Sequence, residues 1–307
     1  MVDLLYKINT NFNELFKSSI GEKWFVDTII SYYNKLPKIK SGINKNKNRK
    51  EKIIVSLTTM PSRIETVAFA IESIMRQTYR PDRILLWLAS DEFPSKNILP
   101  QRLLNLRKRG LEIHFCENLR PYNKLYYSLK KFPEDIIITI DDDVIYSEKL
   151  IEQLMRGHKK FTNCIICTRA HEIKIDYMGN VWPYNSWLLY EQREKFDTLP
   201  SMKNFFTGVG GVLYPPHCLD DMVFDAEIIR KMVPLADDIW FNLMARKKGT
   251  KTALVKTNSK YLFVIPESQR VALHMQNCGH QRNDIYLKNV MNFLGFSGFD
   301  LIGEAIY

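Results

Sequence analysis

The sequence predicts an α/β fold built around a mainly parallel central sheet. Three observations lead there. Short runs rich in Ile, Val and Leu recur between Lys52 and Ile140, segments with helical apolar spacing stand between them, and the last run ends in Asp141, Asp142 and Asp143. Strands alternating with helices in this way build right-handed βαβ units and hence a parallel sheet. Ligands of such sheets bind outside the carboxyl ends of the strands, which is where the three acids stand.

Residues 1–36 carry Leu5, Ile8, Phe12, Leu15, Phe16, Trp24, Phe25, Ile29, Ile30 and Tyr33 at helical spacing. They predict two short helices broken near Gly21, packed on the main domain or on a membrane or partner surface. KLPKIKSGINKNKNRKEK follows, polar and basic, and reads as a linker. The chain thus divides into a helical segment with a basic linker (1–50) and one large domain (51–307).

Within that domain, KIIVSLTT reads as a buried strand. Pro61 to Gln77 reads as a helix, with Ile64, Val67, Ala68, Ile71, Ile74 and Met75 on one stripe. RILLWLA, LEIHFC and DIIITI (135–140) read as strands, with helices at Leu99–Arg109 and Tyr122–Lys131 between them. A helix at 147–159 is followed by the strand-like CIICTR, an aromatic stretch from Tyr177 to Tyr190, and GVGGVLYPP. Helices are then expected from Asp225, from Asp237 to Lys248 and over 284–294, with TALVKT and YLFVI as strands.

Composition narrows the function. With 307 residues, 45% hydrophobic and 25% charged, the chain can bury a large core, and it is not disordered. No stretch approaches the roughly 18 uncharged apolar residues of a membrane span. The N-terminus lacks a cleavable apolar core, so export through a signal peptide is not expected. Of the net charge of +10, Lys35–Lys52 supplies +7 from eight basic residues and Glu51. A strap of this kind suits an anionic membrane surface, whereas a nucleic-acid binder spreads its charge over a fold face. Five scattered cysteines, an odd number, point to a reducing compartment. Cys164 and Cys167 lie in an apolar strand, on opposite faces, and read as buried thiols.

The chemistry concentrates in two acidic clusters. Three consecutive carboxylates repel and raise one another's pKa. A divalent cation converts that repulsion into binding, and carboxylates suit Mg²⁺ or Mn²⁺. Asp141 and Asp143, as alternate residues, can reach one ion together; the plain alternative is a solvated acidic turn. At Asp237-Asp238 one acid can cap the helix while the other projects into a cleft.

IVSLTTMPSRI, QTYRPDRILLWLASDEFP, LRPYNKLYYSLKKFPEDIIITIDDDVIY, FTGVGGVLYPP and ADDIWF, in this order, resemble a family-2-like group of bacterial glycosyltransferases of the GT-A fold, associated with surface polysaccharides. The resemblance covers about residues 52–295. It implies that Thr58, Thr59 and Arg63 hold the donor nucleotide, Asp91 meets the base, and Lys124 approaches the ribose or diphosphate. It further implies that Asp141 and Asp143 hold Mn²⁺ or Mg²⁺, that Asp142 faces the ribose or sugar, and that His274 or His280 completes the metal shell. Gly210 and Gly211 would lie near the donor sugar and the acceptor. Trp182, Tyr184 and Trp187 are candidates for stacking on a sugar or, equally, for a buried aromatic core, and Arg169 and His171 for lining the same cleft. Asp238 would be the general base, supported by Asp237, in a single displacement that inverts the anomeric carbon. The implied donor is a UDP-sugar and the implied acceptor a glycan or lipid-linked glycan of capsule or lipopolysaccharide synthesis. The implied location is cytoplasmic, at the inner face of the bacterial membrane, with no nucleic-acid partner.

Two rivals remain. ITIDDDV also meets the signature of a haloacid-dehalogenase-like phosphatase, with Asp141 as nucleophile. A non-enzymatic adaptor would use residues 1–52 to bind membrane or nucleic acid, but would leave both acidic clusters without a purpose.

Overall fold

The computed structural model describes residues 2–5, 8, 20–35, 41–46, 48–95, 98–189, 199–257, 262–266 and 282–304. Residues 2–5 and 8 are helical, and helix α1 (Ile20–Lys35) starts next to Gly21, where the sequence places the boundary between two helices. Phe25, Val26, Ile29 and Tyr33 of this helix form a buried cluster with Val2, Leu5, Ile145, Phe263 and Ile265, and this tertiary packing holds the helix to the body.

The described part of the basic segment, residues 41–46 and 48–52, is bound to the body. Gly42 N–H donates to Arg109 O and Asn44 N–H to Pro81 O. Arg49 pairs with Asp82 at 2.9 Å and lies over the Tyr79 ring. A Cβ on Gly42 would stand 2.4 Å from Met75 Cγ, so the strap passes where only glycine fits.

Strand β1 (Ile53–Thr58) is buried from Ile53 to Leu57. It is followed by α2 (Val67–Met75), β2 (Arg83–Ala89), α3 (Gln101–Arg107), β3 (Leu111–Cys116), α4 (Asn123–Lys131) and β4 (Ile136–Thr139). All four strands are parallel, and β1 lies between β2 and β4. The expected helix over 61–77 is split. A 3₁₀ turn at Pro61–Arg63 precedes α2, and it carries the Arg63 guanidinium to the acids at the end of β4.

After the acids come β5 (Val144–Ile145), α5 (Leu150–Lys160), β6 (Ile165–Cys167), β7 (Ala170–Glu172), β8 (Leu188–Leu189), β9 (Asn204–Phe206) and β10 (Val212–Tyr214). Then follow α6 (Ala226–Met232), α7 (Asp237–Lys248), β11 (Thr252–Leu254), β12 (Phe263–Val264), α8 (Arg282–Leu294) and α9 (Gly298–Ile302). The central sheet has seven strands in the order β11-β6-β10-β4-β1-β2-β3, with β10 antiparallel to both neighbours. β5 pairs with β12, and β8-β7-β9 form a small sheet. β12 falls within YLFVI, which the sequence marked as a strand, whereas β5, β7, β8 and β9, of two or three residues, are too short for periodicity to reveal.

Alternation along β1 feeds both faces of the sheet. Ile53, Val55 and Leu57 pack with α2, α3 and α5. Ile54 joins a second core with Leu125, Tyr126, Trp240 and Phe241 from α4 and α7. Because β2 and β4 flank β1, the chain reverses its winding there, and a crevice opens beyond the carboxyl ends of β1 and β4. The α/β, mainly parallel architecture expected from the sequence is the one observed.

Candidate active site

Ile140 N–H donates to Ser56 O, extending β4 to the edge of the acidic turn. Asp142 points inward and is 6% exposed. Thr59 Oγ1 donates to one of its oxygens at 2.5 Å and Arg63 Nη1 to the other at 2.8 Å. Arg63 Nη1 also lies 3.2 Å from Asp143 Oδ2. Burial raises the Asp142 pKa, against the pull of Arg63 and Thr59. Burial alone would lower Arg63; Asp142, Asp143 and Asp141 together raise it. Thr59, Arg63 and Asp142 were expected on the donor. In the structure they are joined to one another in a buried clamp at the acidic turn.

Asp141 is held differently. Lys124, in the first turn of α4, brings Nζ to 2.8 Å from Asp141 Oδ1 and 3.1 Å from Asp237 Oδ2. Burial would discharge this lysine, but Asp141, Asp237 and Asp238 raise its pKa well above the ordinary value, so it is an ammonium. Asp237 Oδ2 has no partner with hydrogen-bond geometry among the described residues, and its contact with Lys124 is purely ionic. Asp237 and Asp238 stand in the first turn of α7, where the helix dipole favours negative charge; Ala236 before them offers no side-chain cap.

The backbone N–H of Gly208 donates to both oxygens of Asp238, at 3.1 and 3.0 Å. Burial, then Asp237 and Asp141, push the Asp238 carboxyl up to about 7, while Lys124 and Gly208 pull the other way. A carboxyl tuned to this range is suited to taking a proton near neutral pH. A Cβ on Gly208 would lie 3.0 Å from Lys124 Nζ and 3.1 Å from Asp238 Oδ1. Tyr146 ties the two halves together: its hydroxyl accepts from Asp141 N–H at 2.9 Å and donates to Val209 O at 3.0 Å.

The structure therefore brings Asp141, Lys124, Asp237 and Asp238 together around Gly208. Gly208 and Tyr146 were not singled out from the sequence. GVGGV drew attention to Gly210 and Gly211, but Gly210 packs on Thr168 and Arg169, and Gly211 supplies a φ of 91° before β10. Thr58 Oγ1 is spent on Trp87 O. Asp91 is exposed in the turn after β2 and accepts from Asn118 Nδ2 at 3.2 Å. Tyr184 and Trp187 are buried against Phe205 and belong to a core; of the three aromatic candidates Trp182 is the exposed one, at 49%. Burial pushes the His171 imidazole down to about 4, and its ring meets Tyr184 edge-on. Arg169 bonds Thr207 Oγ1. His274 and His280 lie outside the described residues. Cys167 is a buried free thiol and Cys164 a half-buried one.

The acidic turn has the chemistry for a divalent ion. Asp141, Asp142, Asp143, Asp237 and Asp238 face two cations, Lys124 and Arg63, and negative charge remains in excess even with Asp238 protonated. No three His, Cys, Asp or Glu side chains converge as ligands among the described residues. Mg²⁺-type ions need only one or two carboxylates when substrate phosphates complete their shell.

No protein-family profile and no curated protein matches the sequence. Solved structures do. Mannosyltransferase PcManGT from Pyrobaculum calidifontis, in complex with GDP-Man and Mn²⁺, superposes over 98% of this chain and 79% of its own, with a TM-score of 0.52 and 10% identity. The fold is GT-A-like. CMP:2-keto-3-deoxy-manno-octonic acid synthetase complexed with CTP matches 68% of this chain and 90% of its own at 10% identity and a TM-score of 0.39. For 4-diphosphocytidyl-2C-methyl-D-erythritol synthase the figures are 74%, 100%, 8% and 0.42. At such identities the likeness concerns the fold alone, and only the first superposition is close enough to carry it.

The phosphatase alternative finds no support. Its nucleophile would end the first strand, whereas β1 to β3 precede β4, and the second acidic pair opens a helix. No helix among the described residues is long and apolar enough to cross a membrane.

Proposed function

We propose that the chain is a glycosyltransferase that moves a sugar from a nucleotide sugar to a hydroxyl of a glycan or lipid-linked glycan. The observation that carries this reading is the approach of two acidic clusters, from the end of β4 and the start of α7, on either side of Lys124. One cluster suits a diphosphate with its cation. The other offers a carboxyl of raised pKa.

In this reading Asp238 removes the proton of the acceptor hydroxyl, the oxygen attacks the anomeric carbon, and the nucleoside diphosphate departs. Lys124 places positive charge beside the leaving diphosphate, and Asp237 keeps Lys124 in place. Asp141 and Asp143 would hold Mn²⁺ or Mg²⁺, whose chemistry is to neutralise charge on the departing diphosphate. The Thr59–Arg63–Asp142 clamp keeps the acidic turn in register. Asp91 and Thr58 lie at the same edge of the sheet and would border the base. Direct displacement inverts the anomeric centre.

The family-2-like subtype, the UDP donor and the inner membrane face belong to this proposal and rest on the order of motifs and on the basic strap. The mannosyltransferase with the similar fold holds GDP-Man, so guanosine donors belong in the same test. The purified protein should be incubated with a panel of UDP- and GDP-sugars, a glycan acceptor and Mn²⁺, and released nucleoside diphosphate measured. Acceptor-dependent release from one donor supports the reading; release of inorganic phosphate from simple phosphomonoesters contradicts it.

A further inference from the structure

Asn242 is fully buried one turn along α7 from Asp238, and its carboxamide makes four hydrogen bonds. Nδ2 donates to Phe206 O at 2.9 Å and to Asp238 O at 2.7 Å. Oδ1 accepts from Phe206 N–H at 3.2 Å and from Arg246 Nη1 at 3.1 Å. Asn242 thus pairs with both backbone groups of Phe206 as a neighbouring strand would, at the end of β9 and two residues before Gly208.

Arg246 sets the orientation of that amide. A guanidinium can only donate, so it demands Oδ1 and turns Nδ2 toward the two carbonyls. Arg246 is itself buried and anchored by carbonyls from three places: Leu301 O at 2.8 Å, Asn242 O at 2.9 Å and Met202 O at 2.7 Å. Burial lowers its pKa to about 9, which still leaves it a cation at neutral pH.

The contacts close a ring. Asp238 carboxylate binds Gly208 N–H, Gly208 follows Phe206, Phe206 pairs with Asn242, and Asn242 binds Asp238 O. We propose that Asn242 is a positioning residue that fixes the Asp238 carboxylate against Gly208 N–H, with Arg246 orienting its amide. This rests on the reading of Asp238 as the base. Asn242 touches no substrate group; it acts through the spacing between the start of α7 and the end of β9.

Asn242→Asp tests it. The substitution keeps the shape and both acceptor contacts, supplies Arg246 with a counter-charge, and removes the two donated bonds. A displacement of about 1 Å at a reacting group can cost about 10²-fold in rate. The expected result is a fall of about that size in kcat, with donor KM within about twofold, and faster amide exchange at Gly208 than elsewhere in the domain. Leu103→Ala, which thins the core on the opposite face of the sheet, is the control: it lowers Tm with kcat nearly unchanged. Asn242→Asp costing no more kcat than Leu103→Ala at equal loss of Tm would overturn the proposal.

The wild type gives a second reading that needs no variant. The Gly208 amide and the Asn242 carboxamide should exchange together and slowly, and fast exchange at Gly208 alone would contradict the ring. Absence of sugar transfer by the wild type would refute the base assignment, while the exchange comparison would still decide whether Asn242 positions Asp238.

Discussion

Lys124 Nζ lies 2.8 Å from Asp141 Oδ1 and also contacts Asp237, so one buried ammonium joins the end of β4 to the start of α7. Each acid belongs to a cluster that would repel itself without it. Lys124→Met leaves these carboxylates facing one another in a largely buried site. Removing one partner of a buried ion pair costs about 3–5 kcal/mol. The loss should be largest at pH 8, where the acids are charged, and smaller at pH 5, where Asp238 holds a proton. Urea unfolding at the two pH values measures this; equal losses would show that Lys124 does not neutralise Asp238.

Asp238 makes stability depend on pH in a definite direction. Between the ordinary carboxyl value of 3.8 and its own value near 7, the folded protein keeps a proton that the unfolded chain has released. Stability therefore falls as pH rises through that window, by at most about 1.4 kcal/mol per pH unit. His171 acts oppositely: between about 4 and 6.5 the unfolded chain binds a proton that the buried imidazole refuses, so its contribution to stability rises with pH. Asp238→Asn should remove the falling limb and leave the rising one. Thermal denaturation from pH 4 to pH 8 follows both.

The Arg63–Asp142 pair predicts a non-additive cycle. Arg63→Met strands Asp142 in the interior and should cost about 3–5 kcal/mol, whereas Arg63→Met with Asp142→Leu should cost less than the single change. The pair's side chains are 10% and 8% exposed, which keeps solvent screening small. A double variant as unstable as the sum of the singles would mean that the two side chains are not coupled.

Gly208→Ala tests the closeness of the cluster. Its added methyl would stand 3.0 Å from Lys124 Nζ and 3.1 Å from Asp238 Oδ1, both ends of side chains able to yield by a few tenths of an ångström. The fold should survive with a Tm loss of a few degrees, while activity falls at least tenfold because the two groups that move are those proposed to do the chemistry. Unchanged turnover would place the reaction elsewhere.

The sequence showed the sheet and the acids plainly, and for a physical reason. β1 and β4 are buried on both faces and read as near-continuous apolar runs. Asp141–Asp143 and Asp237-Asp238 are costly charges placed beside apolar segments, which is what makes them stand out in the sequence. What stayed hidden depends on close approach in three dimensions. Gly208 looks like the other glycines of GVGGV until Lys124 and Asp238 surround it. Asn242 sits in a helix among Phe241 and Leu243, and nothing in the letters reveals that it pairs with Phe206. Thr59, Arg63 and Asp142 were legible as a group but not as an internal clamp, because the inward turn of Asp142 follows from the 3₁₀ turn that delivers Arg63.

Calorimetric titration of Asp238→Asn with the nucleotide sugar and Mn²⁺, beside a transfer assay on the same preparation, tests the central claim most directly. The predicted result is donor affinity close to that of the wild type together with transfer reduced at least about 10³-fold, as expected when a general base is lost. Near-normal transfer by Asp238→Asn, or donor binding that disappears with the Asp238 carboxylate, would contradict the account.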